Sequence, residues 1–228
     1  MTHPSTSDAP SSPSSNVRSS RALYRLAVLI LHFALSVLFG YRRLGVNRVP
    51  RTGPLLVVSN HQSYLDSVAV GTALYPRVAT HLARAGLFKK RAFASLILTF
   101  NAVPLREEEG DLGAMRLVID RLKLGDAVII YPEGSRTADG EVHSFKRGAT
   151  LIAKRSNCAV LPVAIDGGFR IWPRSRSRPR IFCGPLRVLI GKPIAAQDLL
   201  ADGPDAGLAR LEAEVRRLHE RLVRTRPG

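Results

Sequence analysis

The sequence is short of cysteine and of acidic side chains, and each shortage excludes a class of protein. Only Cys158 and Cys183 occur among the 228 residues, too few for a disulfide framework or a cysteine-based zinc site. Asp and Glu number 18 against 34 Lys and Arg, which leaves a formal net charge of +16. This excess indicates a polyanionic partner: a nucleic acid, an anionic lipid surface or a phosphorylated substrate. With 45% hydrophobic and 23% charged residues, the composition is that of a globular protein.

The one strongly apolar run near the N-terminus is too short for an ordinary membrane span. Between Arg25 and Arg42 lie residues 26–41, about 24 Å of helix against the roughly 30 Å of a bilayer core. Arginines at both ends favour a helix that dips into one leaflet. We therefore interpret residues 21–44 as a membrane-associating helix, with a core helix of a soluble domain as the alternative.

The rest of the chain divides into a leader, one domain and a final helix. Residues 1–20 contain eight Ser and three Pro and are expected to be a disordered leader. Residues 45–200 alternate apolar strand-like runs with helical stretches, which predicts an α/β domain with a single mixed, partly parallel sheet flanked by helices. Residues 205–226 carry apolar side chains three and four residues apart and arginines between them, which predicts a C-terminal amphipathic helix. The predicted strands cover 54–59, 78–83, 127–131, 159–165 and 186–190, and the predicted helices within the domain cover 111–124 and 145–155.

A histidine and an aspartate follow the first predicted strand, within the segment 60–66 (NHQSYLD). A carboxylate beside an imidazole fixes the ring tautomer and stabilises the imidazolium that forms when the ring takes a proton. Five residues along a regular helix turn through about 500°, so two such side chains would point about 140° apart. We therefore expect His61 to lie in the strand-to-helix turn and Asp66 in the first turn of the helix.

A second polar segment, 131–137 (YPEGSRT), ends another predicted strand. Ligands bind at the carboxyl ends of strands in open α/β sheets. Gly134 permits a close approach of the backbone to a ligand, Arg136 offers a two-pronged donor to phosphate, and Ser135 adds a hydroxyl. An ordinary turn with a surface pair of Glu133 and Arg136 is the alternative from composition alone.

Together these segments resemble the motifs of the glycerolipid acyltransferase family that includes the 1-acylglycerol-3-phosphate O-acyltransferases (lysophosphatidate acyltransferases). That family's block of His, four residues and Asp matches at 61–66, and its Pro-Glu-Gly-Ser/Thr-Arg signature matches at 132–136. Two supporting blocks match at 101–106 (NAVPLR), a short strand ending in a basic residue, and at 159–164 (AVLPVA). The block at 101–106 departs from the pattern, because it lacks the usual opening Gly and bulky apolar residues.

The resemblance implies an O-acyltransferase of phospholipid biosynthesis. It would move a fatty acyl group from a thioester to the hydroxyl of a lysophospholipid, above all 1-acylglycerol-3-phosphate, to give phosphatidate. His61, aligned by Asp66, would remove the hydroxyl proton. Because neither Ser nor Cys lies in a nucleophile elbow, we expect direct transfer without an acyl-enzyme.

The resemblance also implies a substrate-binding set around the acceptor. Arg136, Arg106 and Arg84 would hold the acceptor phosphate, although a lysine is more usual in the family at the position of Arg84. Glu133 would orient Arg136 or bind a glycerol hydroxyl. The complete set implied by the resemblance is Arg84, Arg106, Glu133, Gly134, Ser135 and Arg136.

Partners and alternatives follow from the remaining charge pattern. We expect no metal and no bound cofactor, with acyl-CoA or acyl-acyl carrier protein as co-substrate. The basic stretch 170–180 (RIWPRSRSRPR) could bind nucleic acid, but no nucleic-acid motif accompanies it. We therefore expect an anionic membrane surface as the partner, no nucleic acid, and a peripheral or monotopic location on the cytoplasmic face of a membrane. The alternatives are an acyltransferase for another lyso-lipid (a lyso-amino-acid lipid or lysophospholipid) and a non-catalytic lipid- or nucleic-acid-binding module.

Overall fold

The computed structural model describes residues 21–89, 91–105 and 110–226. The leader predicted over 1–20 and the candidate phosphate ligand Arg106 both lie outside these residues. Within them, seven strands form one sheet in the order β1-β7-β6-β2-β5-β3-β4. The strands are β1 (Arg42–Leu44), β2 (Leu55–Ser59), β3 (Ala79–Arg84), β4 (Ala102–Leu105), β5 (Ala127–Ile130), β6 (Ala159–Asp166) and β7 (Arg187–Ile190).

All neighbouring strands of the sheet run parallel except β6 and β7, which are antiparallel. Eight helices accompany the sheet in the described part of the chain. They are α1 (Arg21–Phe39), α2 (Asp66–Ala73), α3 (Arg91–Thr99), α4 (Gly110–Lys123), α5 (Gly148–Ser156), α6 (Gly168–Ile171), α7 (Ala196–Leu199) and α8 (Pro204–Arg224). The predicted α/β class with a single mixed sheet is therefore confirmed.

Strand β2 lies at the centre of the sheet because all five of its residues are apolar or small and can be buried on both faces. Val57 pairs in register with Ile129 of β5 on one side and with Leu161 of β6 on the other. The carboxyl ends of β5, β2 and β6 consequently meet at one edge of the sheet. The two conspicuous polar segments of the sequence follow β2 and β5 at this edge.

Helices cover both faces of the sheet, and alternate residues of each strand face opposite layers. Leu55 and Val57 pack in one cluster with α1 and α2, whereas Leu56 and Val58 pack in the other with α4, α5 and α8. Helix α8 buries an apolar stripe against β6 and β7 and leaves its arginines outside. The buried apolar side chains of this stripe are Leu211, Val215, Leu218 and Leu222.

The clearest differences from the sequence prediction lie at the end of α1 and the start of α5. Residues 21–44 are interpreted from the sequence as one helix, but α1 ends at Phe39 and Arg42–Leu44 form strand β1. The helix predicted from residue 145 begins at Gly148. The residues before it are held by other parts of the fold, since Phe145 N–H donates to Glu212 (2.9 Å) and Lys146 N–H donates to the carbonyl of Pro132 (2.9 Å). Strand β1 was not predicted, since the three residues Arg-Arg-Leu carry no apolar pattern, and it forms only by pairing with β7.

Helix α1 has one side packed and one side exposed. Tyr24, Val28, Leu35 and Phe39 are buried against the domain. The opposite side exposes a run of large apolar side chains at helical spacing: Leu26, Leu29, Ile30, Phe33 and Val37. Over the residues described, none of the helices has the length and apolar content to cross a bilayer.

Candidate active site

The loop after β2 is held in place by Asn60. Its side chain donates from Nδ2 to the carbonyl of Ile165 (3.0 Å) and accepts at Oδ1 from the N–H of the same residue (2.8 Å). Asn60 is fully buried, so this pair of hydrogen bonds fixes the end of β2 against the end of β6. The chain then turns and enters α2 at Asp66.

His61 lies in this turn and Asp66 is the first residue of α2. This is the arrangement expected from the sequence if the two side chains are to form a pair. His61 Nδ1 and Asp66 Oδ2 are 2.8 Å apart, and the carboxylate is fully buried. The same Oδ2 accepts the backbone N–H groups of Gln62 (2.5 Å) and Ser63 (2.7 Å). Since an ionised carboxylate can only accept, Nδ1 carries the ring proton and Nε2 is left as the basic nitrogen.

The imidazole of His61 is also fixed by an aromatic ring beneath it. It stacks on Tyr131, with ring centroids 4.1 Å apart and planes 17° from parallel. The Tyr131 hydroxyl lies 3.3 Å from Ser67 Oγ, and burial raises the pKa of this hydroxyl well above its ordinary value. About a fifth of the His61 side chain reaches solvent, so the ring is both held and accessible.

The segment after β5 wraps the backbone of His61. Glu133 Oε1 accepts the His61 N–H at 3.0 Å, and the N–H of Thr137 donates to the His61 carbonyl at 2.8 Å. Burial raises the pKa of the Glu133 carboxyl to about 7, although the His61 N–H acts in the opposite direction. Glu133 Oε2 is buried and has no hydrogen-bond partner among the described residues.

Gly134 closes the turn after β5 in a conformation that favours glycine. Its N–H donates to the carbonyl of Tyr131 (3.0 Å), and its φ is +79°. A Cβ at this position would come within 2.7 Å of the side chain of Lys146. Lys146 in turn forms an ion pair with Asp111 of α4 at 3.1 Å. Ser135, the next residue, is exposed.

The guanidinium of Arg136, in the turn after β5, stacks on an aromatic ring. Its guanidinium carbon lies 3.5 Å from the centroid of Tyr64. Its Nη1 atom is buried and has no hydrogen-bond partner within the described ranges. The pairing of Glu133 with Arg136 considered from the sequence therefore has no support in these contacts, because Glu133 bonds to the His61 backbone instead.

Arg84 lies at the same edge of the sheet, at the end of β3. The register places it level with the residue after β2, since His81 pairs with Ile129 and Ile129 pairs with Val57. Strand β3 is two strands away from β2, a lateral separation of about 10 Å. Arg84 is exposed.

A cavity of about 380 Å³ opens beside His61 and extends between β3, β5, α4 and α5. Its volume lies within the range of roughly 300–1,000 Å³ of small-molecule sites. The polar side chains in its lining include His61, Ser67 and Lys146, and most of the other lining side chains are apolar. The apolar side chains include Leu82, Ala114, Met115, Val118, Ile130 and Ile152.

One further histidine pairs closely with a single carboxylate in the described part of the chain: His143 Nε2 lies 2.9 Å from Asp139. Across the described ranges, no three side chains of His, Cys, Asp or Glu come together as a set of metal ligands.

Three features of the site were not identified from the sequence. They are the Tyr131 ring under His61, the Asn60 bridge between β2 and β6, and the cavity. Tyr131 directly follows the apolar strand β5 and opens the second motif, a position that could have marked it as a wall of the site.

Comparisons with known proteins identify the family of the chain. The acyltransferase family model matches residues 43–166. A chloroplastic 1-acyl-sn-glycerol-3-phosphate acyltransferase of Arabidopsis thaliana is 30% identical over 156 residues, 66% of this chain and 42% of that protein. The 1-acyl-sn-glycerol-3-phosphate acyltransferase of Bacillus subtilis is 24% identical over 77% of this chain and 84% of its own length.

A solved structure is also similar. The crystal structure of the 1-acyl-sn-glycerophosphate acyltransferase of Thermotoga maritima superposes with a TM-score of 0.77 at 25% identity, over 90% of this chain and 81% of that one. The chain spans less than half the length of the Arabidopsis relative and of the similar Brassica napus enzyme. The family match covers more than half of the chain, including both polar motifs, and the chain therefore belongs to the acyltransferase family.

Proposed function

We propose that this protein is an O-acyltransferase that acylates the free hydroxyl of 1-acylglycerol-3-phosphate and so makes phosphatidate for phospholipid biosynthesis. The observation that carries the proposal is the oriented pair of His61 and Asp66 at the rim of an apolar cavity. A binding module has no need of an imidazole whose second nitrogen is left free and basic. The names of the relatives, which are 1-acyl-sn-glycerol-3-phosphate acyltransferases, support the choice of acceptor.

In the proposed reaction His61 acts first as a base and then as an acid. Nε2 takes the proton of the acceptor hydroxyl as the oxygen attacks the thioester carbonyl, and Asp66 stabilises the imidazolium that forms. The tetrahedral intermediate then collapses, the carbon–sulfur bond breaks, and the thiolate leaves with the proton returned by His61. The products are an ester and a thiol. No cofactor takes part, and coenzyme A or acyl carrier protein serves as the acyl carrier of the co-substrate.

The acceptor phosphate would bind at the turn after β5. Arg136 supplies a guanidinium whose buried Nη1 has no hydrogen-bond partner among the described residues, and such a group gains strongly from a phosphate oxygen. Gly134 and Ser135 would leave room and a hydroxyl for the same headgroup. Arg84, exposed at the same edge, and Arg106 would add positive charge around it. Glu133 has a structural task in our proposal, because it holds the backbone of His61.

The acyl chain of the donor would lie in the cavity. An apolar lining stabilises a fatty chain by about 25 cal/mol for each Å² removed from water. His61 at the rim of the cavity would then face the thioester carbonyl, the point at which the chain meets its polar carrier.

We further propose that the exposed side of α1 lies on the anionic surface of a membrane. Its five exposed apolar side chains lie at helical spacing on one side of the helix, and clustered exposed apolar side chains of this kind mark protein or membrane contact surfaces. Ile181 and Phe182 are also exposed and adjoin this helix, since the N–H of Phe182 donates to the carbonyl of Leu38. The preceding loop adds exposed cations that attract anionic lipid, namely Arg174, Arg176, Arg178 and Arg180. Our proposal is therefore a peripheral or monotopic attachment, and we place it at the cytoplasmic face.

Vesicle sedimentation tests the membrane proposal. We expect the protein to sediment with vesicles that contain phosphatidylglycerol, less with phosphatidylcholine alone, and less at high salt. Phe33→Glu, on the exposed side of α1, should weaken sedimentation, whereas Asp205→Asn, remote on α8, should not. Equal sedimentation of the Phe33→Glu variant would contradict the placement of α1.

An acceptor panel tests the activity. Purified protein is given a radiolabelled palmitoyl thioester with 1-acylglycerol-3-phosphate, 1-acylglycerol, lysophosphatidylcholine or a lyso-ornithine lipid, and products are separated by mobility. We expect labelled phosphatidate, with thioester consumption that depends on the phosphate. Labelling of another acceptor alone would replace our choice of substrate, and no thioester consumption with any acceptor would reject the enzyme.

A further inference from the structure

Three segments at the carboxyl edge of the sheet meet in one stack of side chains. Tyr64 comes from the loop after β2, Arg136 from the loop after β5, and Trp172 follows the short helix after β6. The guanidinium carbon of Arg136 lies 3.5 Å from the Tyr64 ring centroid. The Tyr64 and Trp172 rings are 5.0 Å apart and tilted by 43°. Trp172 is itself anchored, since its indole N–H donates to the carbonyl of Arg176 at 3.1 Å.

We infer that Tyr64, supported by Trp172, is a positioning residue that holds the Arg136 guanidinium for the acceptor phosphate. This inference rests on the proposed function, in which Arg136 binds that phosphate. A guanidinium that stacks on a ring is attracted through its face. The N–H groups around its edge are then left available for a two-pronged contact with phosphate oxygens.

The usual way of holding an arginine is absent among the described residues. A carboxylate partner would orient Arg136 but would also occupy the N–H groups that the phosphate needs. Glu133 and Asp139 are each three residues from Arg136 in sequence, but Glu133 bonds to the backbone of His61 and Asp139 bonds to Thr137 and His143. Within the described ranges, Glu133 Oε2 has no hydrogen-bond partner. The buried Nη1 of Arg136 has none either in this part of the chain. The ring of Tyr64 therefore orients the cation without using its donors.

The Tyr64 hydroxyl is not needed for this task. About half of the Tyr64 side chain is exposed, so its removal should leave the fold intact. Loss of a partly exposed cation–ring contact corresponds to a weakening of between about twofold and thirtyfold. We expect the change to appear in the KM for the acceptor, because chemistry at His61 and binding of the acyl donor do not involve this stack.

Steady-state kinetics with 1-acylglycerol-3-phosphate test the inference in Tyr64→Phe and Tyr64→Leu, with thermal unfolding as a check on the fold. Tyr64→Leu should raise the acceptor KM about tenfold, with kcat and the KM for the acyl thioester within twofold of wild type. Tyr64→Phe, which keeps the ring, should match wild type. Trp172→Leu should give a smaller increase in the same direction, since it acts through Tyr64.

The inference is overturned if Tyr64→Leu leaves the acceptor KM unchanged, if Tyr64→Phe is equally impaired, or if kcat and both KM values change together. A second readout does not depend on activity. The Nε–H resonance of Arg136, assigned by its loss in Arg136→Lys, should show a ring-current shift that persists in Tyr64→Phe and disappears in Tyr64→Leu. A wild-type protein that does not acylate lysophosphatidate would reject the proposed function, and this resonance would still decide whether Tyr64 positions Arg136.

Discussion

Replacement of Glu133 by Gln should change how the stability of the protein depends on pH. Burial raises the pKa of Glu133 from 4.5 to about 7, so the folded protein resists its ionisation. A carboxyl whose pKa is higher in the folded state than in the unfolded chain contributes stability below pH 4.5. That contribution is lost as the pH rises through about 7. The glutamine carbonyl can still accept the His61 N–H and has no charge to lose. The free energy of unfolding of the variant minus that of wild type should therefore be larger at high pH than at low pH.

The size of the effect follows from the shift. At 1.36 kcal/mol for each pKa unit, a rise from 4.5 to about 7 sets an upper limit of about 3 kcal/mol. Because the carboxyl is partly exposed, we expect about 1–2 kcal/mol. His143 and Asp66 also act on Glu133 electrostatically, but both are present in the two proteins, so their own titrations largely cancel in the comparison.

Urea unfolding of wild type and Glu133→Gln at several pH values between 5 and 8.5 measures this difference. We expect the free energies of unfolding to converge or cross toward pH 5 and to diverge by about 1–2 kcal/mol in favour of the variant by pH 8. A difference in the free energy of unfolding that is constant with pH would refute the argument that burial disfavours the ionised form of Glu133. Glu141→Gln, at an exposed position, is the matched control and should show no such trend.

Three further changes test other parts of the site. Asp66→Asn should lower kcat/KM by about 10³-fold, because the amide cannot accept three N–H groups or stabilise the imidazolium. Steady-state kinetics measure this loss, and a loss below tenfold would contradict the pairing of His61 with Asp66. Gly71→Ala should cost about 1–3 kcal/mol in urea unfolding, because its Cβ would lie 2.7 Å from the His81 ring, and the cost should vanish in a His81→Ala background. Ala114→Phe should shift the preference among acyl thioesters toward shorter chains by filling part of the cavity, whereas Ala114→Ser should not; an unchanged chain-length profile would exclude this cavity as the acyl site.

The sequence alone predicted the features that depend on residues close together along the chain. Strand β2 was evident from an apolar run that begins after Gly53 and Pro54. The spacing of five residues between His61 and Asp66 predicted that His61 lies in the turn before the helix and Asp66 in its first turn. The α/β class followed from the alternation of apolar runs with helical stretches. Each of these is a property of a short segment, and each is confirmed in the fold.

The features that the sequence did not predict depend on the order of the strands. Tyr131 can lie under His61 only because β5 pairs with β2, and Arg136 reaches Tyr64 for the same reason. The cavity is built from β3, β5, α4 and α5, segments far apart in the chain. Nothing in the local pattern of these residues specifies which strands become neighbours. For the same reason the sequence left open whether Glu133 orients Arg136 or binds a glycerol hydroxyl, and it did not indicate the hydrogen bond from the His61 N–H.

The most direct test of the account is the activity of His61→Ala beside His143→Ala. Both variants remove an imidazole near the same edge of the sheet, but only His61 faces the cavity and pairs with the buried Asp66. With a palmitoyl thioester and 1-acylglycerol-3-phosphate, His61→Ala should lower kcat/KM by about 10²–10⁴-fold, with thermal unfolding confirming that the variant is folded at the assay temperature, and His143→Ala should match wild type. Activity of His61→Ala within tenfold of wild type would contradict the central claim that this imidazole moves the proton in acyl transfer.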